Sequence, residues 1–442
     1  MLGLGVAVLL AVGGCTTGTA ASTPASSGDS SSSSVIPVAG SAAACVPNPK
    51  KVVTAKNTQS TKPVPAALAT EYEAAATAAY APLKASAPAA IVSVRGPKGT
   101  WSKTYGVADA ATGAPVTTDM YQRIGSITKT FVGTALLQLA DQGKLSLDDP
   151  IDDYVPNVPN GSHISLRELV TMTSGLGGYD TNPAWLKAFF SAPDTQWTPD
   201  QLLAASWAMP TQFPPGTNMR YANINTILLG LAIEQATGKT LTEVIKTQIL
   251  DPLHLNSTTL PTDASFPSPH ATGYTDQLND FLAEGGIPGR SATGTWADAT
   301  NWNSSWGWAA GAMTSRLDDV LAWGRVLATG QGVLPAAEQV KRLESLKTST
   351  LGAGTFYGDT IACKDGWIGH PGDIFGYSTI VMYNPAIDTT IVVEATGASF
   401  SFAQPHLSVT DSLTSALAQV TGHPYAARSA APNSPDNPVL KF

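Results

Sequence analysis

The sequence predicts an α/β fold, an antiparallel sheet flanked by helices, with an all-α insertion between two portions of that sheet. Three observations carry this. A hairpin signal lies near residues 90–107, segments of helical period recur between 127 and 328, and a second hairpin signal at 377–394 precedes one last helix. Hairpin, helices, hairpin and helix in that order fit one sheet with helices on its faces.

Residues 66–83 are Ala-rich, with Leu and Tyr at helical spacing, and read as the first helix of a folded unit starting near Pro65. Ala90–Val94 and Ser102–Val107 flank Gly96-Pro97-Lys98-Gly99 as the first hairpin. Ile127, Phe131, Ala135 and Leu139 recur every four residues, and Gly143 stops the helix they define. Ser165 and Glu168, three apart, form a capping-box pattern for a helix to Met172. Asn225–Ala236, Leu241–Ile249 and Leu317–Ala328 are further amphipathic segments. Tyr377–Met382 and Thr389–Glu394 are β-branched runs joined by a turn, and Val409–Val420 is the last helix. The implied organisation is a folded domain over 65–425, with its sheet lobe at 65–145 and 310–425 and the insertion at 146–309. Residues 426–442 read as a loose tail.

With 442 residues, 43% of them hydrophobic, the chain can bury a large core. No basic run accompanies the net charge of -8, which argues against a nucleic-acid partner. No stretch of ~20 apolar residues predicts a spanning helix. Leu2–Val12 has the length of a signal h-region and runs into Gly13-Gly14-Cys15, which resembles a lipoprotein lipobox, so residues 1–15 are expected to be a lipoprotein signal and Cys15 the lipidated residue. No Lys or Arg precedes the run, and a plain secretory signal is the alternative. Residues 16–44 are Ser, Thr, Ala and Gly with few large apolar side chains, and a flexible tether is expected over 16–64. The chain is then exported and lipid-anchored to the outer face of a bacterial cell membrane, touching it through that anchor only. Cys45 and Cys363 are left over; outside the cytosol they can pair, and we expect a disulfide, two separately buried thiols being the alternative.

Three short motifs carry chemistry. In Gly125-Ser126-Ile127-Thr128-Lys129 the serine stands at a helix start and the lysine three residues on, so both project from one face. Lys129 is the only lysine in the chain with Ser three positions before it. A hydroxyl needs a neighbour to take its proton, and a desolvated lysine can do so. Tyr221-Ala222-Asn223 follows the turn-rich Phe213–Thr217; a tyrosine can share proton traffic and an amide can orient a substrate carbonyl. In Gly369-His370-Pro371-Gly372-Asp373, Gly372 would let substrate approach a strand edge, and the Asp373 N–H could complete an oxyanion pair with that of Ser126. Each motif alone has a bland counterpart: a capping serine with a solvated lysine, local turn hydrogen bonds, or a His-Pro-Gly turn.

Together, in this order, they resemble the serine β-lactamase, D-alanyl-D-alanine carboxypeptidase and esterase superfamily, in the branch with Ser-x-x-Lys, Tyr-x-Asn and His-x-Gly. Ser165–Leu176 and Gly311–Ser315 are similar to further family segments, and the resemblance covers roughly residues 89–420. It implies the β-lactamase/transpeptidase-like fold, with Ser126 as acylated nucleophile and Lys129 as its proton acceptor. Tyr221 would protonate the leaving group, Asn223 would orient substrate, and His370 would replace the third-motif lysine. No organic cofactor is implied. The six histidines show no metal-ligand spacing, so no metal is expected. The expected substrate is a small ester, amide or peptide. The leading reading is an esterase or amidase; the rivals are a cell-wall D-alanyl-D-alanine carboxypeptidase or β-lactamase, and a non-catalytic binding protein on the same fold. Oligomeric state is not legible.

Two departures bear on substrate. Relatives acting on peptides or β-lactams carry Thr or Ser where Pro371 stands, and Pro371 has neither hydroxyl nor N–H. Asp373 is expected to add negative charge beside the site. The tryptophans at 296, 302, 306 and 308 are expected to serve packing more than substrate.

Overall fold

The computed structural model describes residues 45–276, 296–349, 354–397 and 408–427. Cys15, expected to be lipidated, and residues 16–44 of the expected tether lie outside them. Among the described residues the α-helices of five or more residues are α1 (Pro49–Val53), α2 (Ala66–Tyr80), α3 (Thr128–Asp141), α4 (Leu166–Val170), α5 (Pro183–Ser191), α6 (Pro199–Trp207), α7 (Asn223–Thr237), α8 (Leu241–Ile245), α9 (Leu317–Thr329), α10 (Ala336–Glu344) and α11 (Val409–Val420). The strands are β1 (Ala89–Gly96), β2 (Gly99–Asp109), β3 (Ala114–Pro115), β4 (Tyr121–Arg123), β5 (Tyr274–Thr275), β6 (Ala297–Asp298), β7 (Thr314–Arg316), β8 (Lys347–Thr348), β9 (Thr355–Gly358), β10 (Ile361–Lys364), β11 (Trp367–Ile374), β12 (Tyr377–Asn384) and β13 (Thr389–Thr396).

One antiparallel sheet of nine strands, ordered β3-β2-β1-β13-β12-β11-β10-β9-β8, divides the molecule. The first strands of the chain sit beside the last, β1 pairing with β13 through Ala89↔Thr396 to Arg95↔Thr390. The sheet is therefore built from the two ends of the fold, and β4 to β7, between β3 and β8 in the chain, lie outside it. Alternation sends Ile91, Val381, Tyr383 and Val392 to an inner face against α3, α9 and the insertion. Val92, Val94, Ile380, Ile391 and Val393 point to an outer face covered by Tyr72 and Ala76 of α2 and Leu413 and Leu417 of α11. Both faces are covered, so these strands read as apolar runs rather than as an alternating pattern. The expected capping box forms, Ser165 Oγ accepting from the Glu168 N–H and Glu168 returning to the Ser165 N–H.

The expected tether over 16–64 is corrected in its described part. Residues 45–64 belong to the folded unit: Val46, Val52 and Val53 are buried, Thr58 bonds Asp388, and Ser60 and Lys62 run along the β1–β2 turn through bonds to Gly96 and Thr100. Polar composition concealed this, because the segment is held largely by backbone bonds. The insertion also departs from all-α, its described part carrying the β5–β6 pair. Strands β8–β10 were not anticipated. Cys45 and Cys363 form a disulfide joining the start of the described chain to β10.

Candidate functional site

Ser126 lies in a single 3-10 turn, Gly125–Ile127, that feeds α3. Gly125 has φ +52°, and a Cβ there would sit 2.5 Å from the Asp373 nitrogen. A Cβ on Gly372 would sit 2.0 Å from the Ile124 carbonyl oxygen. These two glycines let β11 and the Ser126 turn touch backbone to backbone. Strand β10 covers β11 only as far as Gly369, so the edge from 370 to 374 is turned to this corner rather than to another strand.

Lys129, the second residue of α3 and three positions after Ser126, is fully enclosed. Its ammonium donates to Ser126 Oγ at 2.9 Å, Asn223 Oδ1 at 2.7 Å and the Ala310 carbonyl at 2.6 Å. Burial pulls its pKa down from the ordinary lysine value to about 7, against an upward pull from the Asp180 charge. A near-even mixture of amine and ammonium at neutral pH is what a proton acceptor needs.

Asn223 is the first residue of α7, and Tyr221 stands just before it. Backbone bonds from Gln212 to Gly175, Gly216 to Thr173 and Arg220 to Met172 lay the 209–221 loop along the segment after α4. That pairing delivers Tyr221 to Lys129, whose Nζ is 4.9 Å from the ring centroid. The His370 ring lies 6.1 Å from that of Tyr221, centroid to centroid, and is buried. Its Nδ1 lies 2.5 Å from the Pro371 carbonyl oxygen and its Nε2 3.3 Å from the Tyr357 hydroxyl. With a proton on Nδ1, Nε2 is left to accept from Tyr357.

Asp373 corrects one expectation. Its carboxylate accepts from Ser378 Oγ at 2.5 Å, and that hydroxyl lies 3.4 Å from the Thr410 hydroxyl of α11. Alternation along β11 thus turns the side chain to the outer face, while its backbone stays at the corner with Gly125. The expected negative charge beside the site is carried across the sheet.

Three partners were missed in the sequence: the Ala310 carbonyl, Tyr357 and Asp180. Asp180, in the 3-10 turn Tyr179–Thr181, accepts from Asn223 Nδ2 at 2.8 Å. Burial pushes its carboxyl up, opposed by its own backbone N–H, Lys129, Asn223 and Arg220. The only signal was its place four residues beyond the family-like Ser165–Leu176. Next to it, Tyr179 donates to the Trp306 carbonyl at 2.6 Å and joins an aromatic layer of Trp185, Phe189, Trp302, Trp306 and Phe375.

A family model described as Beta-lactamase matches residues 66–408. Protein flp of Staphylococcus aureus is 30% identical over 192 residues, 42% of this chain and 37% of that protein. The putative penicillin-binding protein PbpX of Bacillus subtilis is 32% identical over 129 residues, 29% of this chain and 30% of that protein. The matches thus span 37% and 30% of the length of these curated relatives. Among solved structures, a D-stereospecific amidohydrolase from Streptomyces is 29% identical, with a TM-score of 0.64, covering 74% of this chain and 96% of that one. A D-amino acid amidase from Ochrobactrum anthropi superposes with a TM-score of 0.69 over 81% of this chain and 99% of that one; at 23% identity it speaks for the fold.

Proposed function

The chain belongs to the beta-lactamase family, and from that premise we propose that it is a serine hydrolase passing the acyl group of a small amide or ester through Ser126. The observation that carries this is the 2.9 Å contact between Ser126 Oγ and a fully buried Lys129 whose pKa burial holds at about 7. Neutral Lys129 takes the Ser126 proton as Oγ forms its bond to the substrate carbonyl carbon. The carbonyl oxygen, now negative, is received by the N–H groups of Ser126 and Asp373. Lys129, with Tyr221, returns the proton to the departing nitrogen or oxygen. Water then cleaves the Ser126 ester, releasing the acid and restoring the hydroxyl.

Within this class an amidase or esterase reading leads. Its support is the likeness to the Streptomyces amidohydrolase, which spans nearly all of that chain, and Pro371, which offers a substrate carboxylate neither hydroxyl nor N–H. With the Asp373 side chain turned away, disfavour toward carboxylate substrates rests on Pro371 alone. A penicillin-binding reading is favoured by the likeness to PbpX. Export and a lipid anchor at Cys15 complete the proposal; the lipobox-like Gly13-Gly14-Cys15 supports it.

The deciding experiment treats the purified protein with a fluorophosphonate and a fluorescent penicillin, and assays D-amino acid amides beside short aryl esters. Wild type is expected to label with the phosphonate and to turn over amide or ester. Ser126→Ala should abolish both, and Lys129→Ala should lower kcat/KM by roughly 100- to 10,000-fold. An acyl group found by intact and peptide mass on any other residue sinks the assignment. Efficient penicillin labelling at neutral pH hands the substrate to the second reading.

A further inference from the structure

We propose that Asp180 is a positioning residue that aims the lone pair of Lys129 at Ser126, acting through the side-chain amide of Asn223 and through its own charge. The inference rests on the reading of Ser126 as nucleophile. It begins with the inventory around Lys129 Nζ, where three acceptors lie within hydrogen-bond reach: Ser126 Oγ, Asn223 Oδ1 and the Ala310 carbonyl. An ammonium has a proton for each. A neutral amine has only two, so one direction must carry its lone pair. The Ala310 carbonyl has no proton to give, and neither has the Asn223 amide oxygen. Ser126 Oγ is the one partner that can donate, so the lone pair faces the group to be deprotonated.

That logic holds only while Asn223 presents oxygen to Lys129. A side-chain amide rotated by half a turn would present its NH2, which would compete with Ser126 for the lone pair. Asp180 prevents the rotation. An ionised carboxylate is an acceptor with no proton to offer, so it requires Nδ2 on its side, 2.8 Å away, and Oδ1 on the other. Asp180 itself is held close by Gly178, where a Cβ would lie 2.3 Å from Asp180 Oδ1.

The charge acts in the same place. Among the described residues Asp180 is the one group whose charge raises Lys129 against its burial. The other polar groups packed around Lys129 differ. Tyr179 and Tyr221 are phenols, and burial, with Asp180, pushes that of Tyr179 well up. The His370 ring packs near that of Tyr221, 6.1 Å between centroids, and Arg220 acts on Asp180 rather than on Lys129. The Asp373 carboxylate is bonded to Ser378 on the outer face. Asp180 therefore keeps Lys129 from falling further below neutrality, where it would be too weak a base.

Two substitutions separate the effects. Asp180→Asn removes the charge and leaves Asn223 an amide oxygen to bond, though one that can rotate; Asp180→Ala removes the charge and the acceptor together. The acid limb of kcat/KM against pH should move down by about one pH unit in Asp180→Asn. The plateau should fall further in Asp180→Ala, by roughly 100-fold, as the lone pair is no longer aimed. Lysine 13Cε resonances, with that of Lys129 identified by Lys129→Arg, report its titration with no turnover required. An unmoved Lys129 midpoint in Asp180→Asn overturns the inference. So does a loss confined to substrates bearing an ammonium group and seen in KM alone, which would make Asp180 a substrate contact. A shifted midpoint in a protein showing no Ser126-dependent labelling supports the electrostatic link and defeats the catalytic reading instead.

Discussion

Glu394 sits near the middle of β13, on the inner face two residues from Val392, with Thr379 and Ile91 across from it on the adjoining strands. Among the described residues neither of its carboxylate oxygens has a hydrogen-bond partner. Burial pushes its pKa up to about 8, and the charge of Asp318 adds to that. In the unfolded chain the same carboxyl ionises near 4.5. Between those values the folded protein keeps a proton that the unfolded chain has released, so this group's stability is fully present below about pH 4.5 and is lost as pH rises toward 8. The loss is about 5 kcal/mol at most. Asp359, pushed up to about 6, tilts stability the same way over its lower window. Lys129, held down at about 7, does the opposite above neutrality, where the unfolded lysine still binds its proton. The difference between wild type and Glu394→Gln isolates the glutamate. Urea midpoints should fall from pH 5 to pH 8 more steeply in wild type than in Glu394→Gln, and parallel curves would mean that Glu394 is ionised in the fold.

Helix α5 shows how an element away from Ser126 supports the candidate site. Phe189 stacks on Trp185 at 5.3 Å and on Phe375 at 4.8 Å, and meets Trp302 edge-on at 5.8 Å. Phe375 follows the end of β11, two residues after Asp373, so the layer buttresses the strand that borders Ser126. Phe189→Ala should cost ~3–5 kcal/mol in a urea melt, the range for a fully buried ring whose neighbours cannot collapse into the space. A cost near 1 kcal/mol would mean the layer repacks. The elements also show what sequence can carry. Helix α3 was legible because its apolar residues repeat along one stripe and Gly143 ends it; β12 and β13 were legible as β-branched runs. Strands β8 to β10 were not, being two to four residues long without a usable alternation. Ser126, Lys129, Tyr221 and Asn223 came out of short motifs because helix periodicity and local turns fix them relative to near neighbours. Asp180 did not, because its partner Asn223 is 43 positions away and only the pairing of two loops joins them.

At the scale of the whole chain, the strand order places residues near the N-terminal boundary of the fold against residues near its C-terminal one, and the Cys45–Cys363 bridge spans 318 residues of that path. Such a bond removes much of the freedom of the unfolded chain, and losing a native one typically costs about 2–5 kcal/mol. It also needs an oxidising compartment. That requirement agrees with the proposed export, and the chemistry of the three cysteines turns both ideas into one measurement. If Cys15 carries a lipid on sulfur and the other two are bridged, protein recovered from membranes, denatured and left unreduced, should expose no reactive thiol. After reduction two should appear. One thiol before reduction would place an unmodified Cys15 in the mature chain and remove the lipid anchor. Two would remove the bridge, and with it the staple that ties residues 45–64 to the strand beside His370. Cys45→Ala tests the mechanical part: urea should unfold it earlier than wild type, while phosphonate labelling of Ser126 persists below that midpoint, because the backbone bonds of Ser60 and Lys62 to the first hairpin hold the segment without the sulfur link.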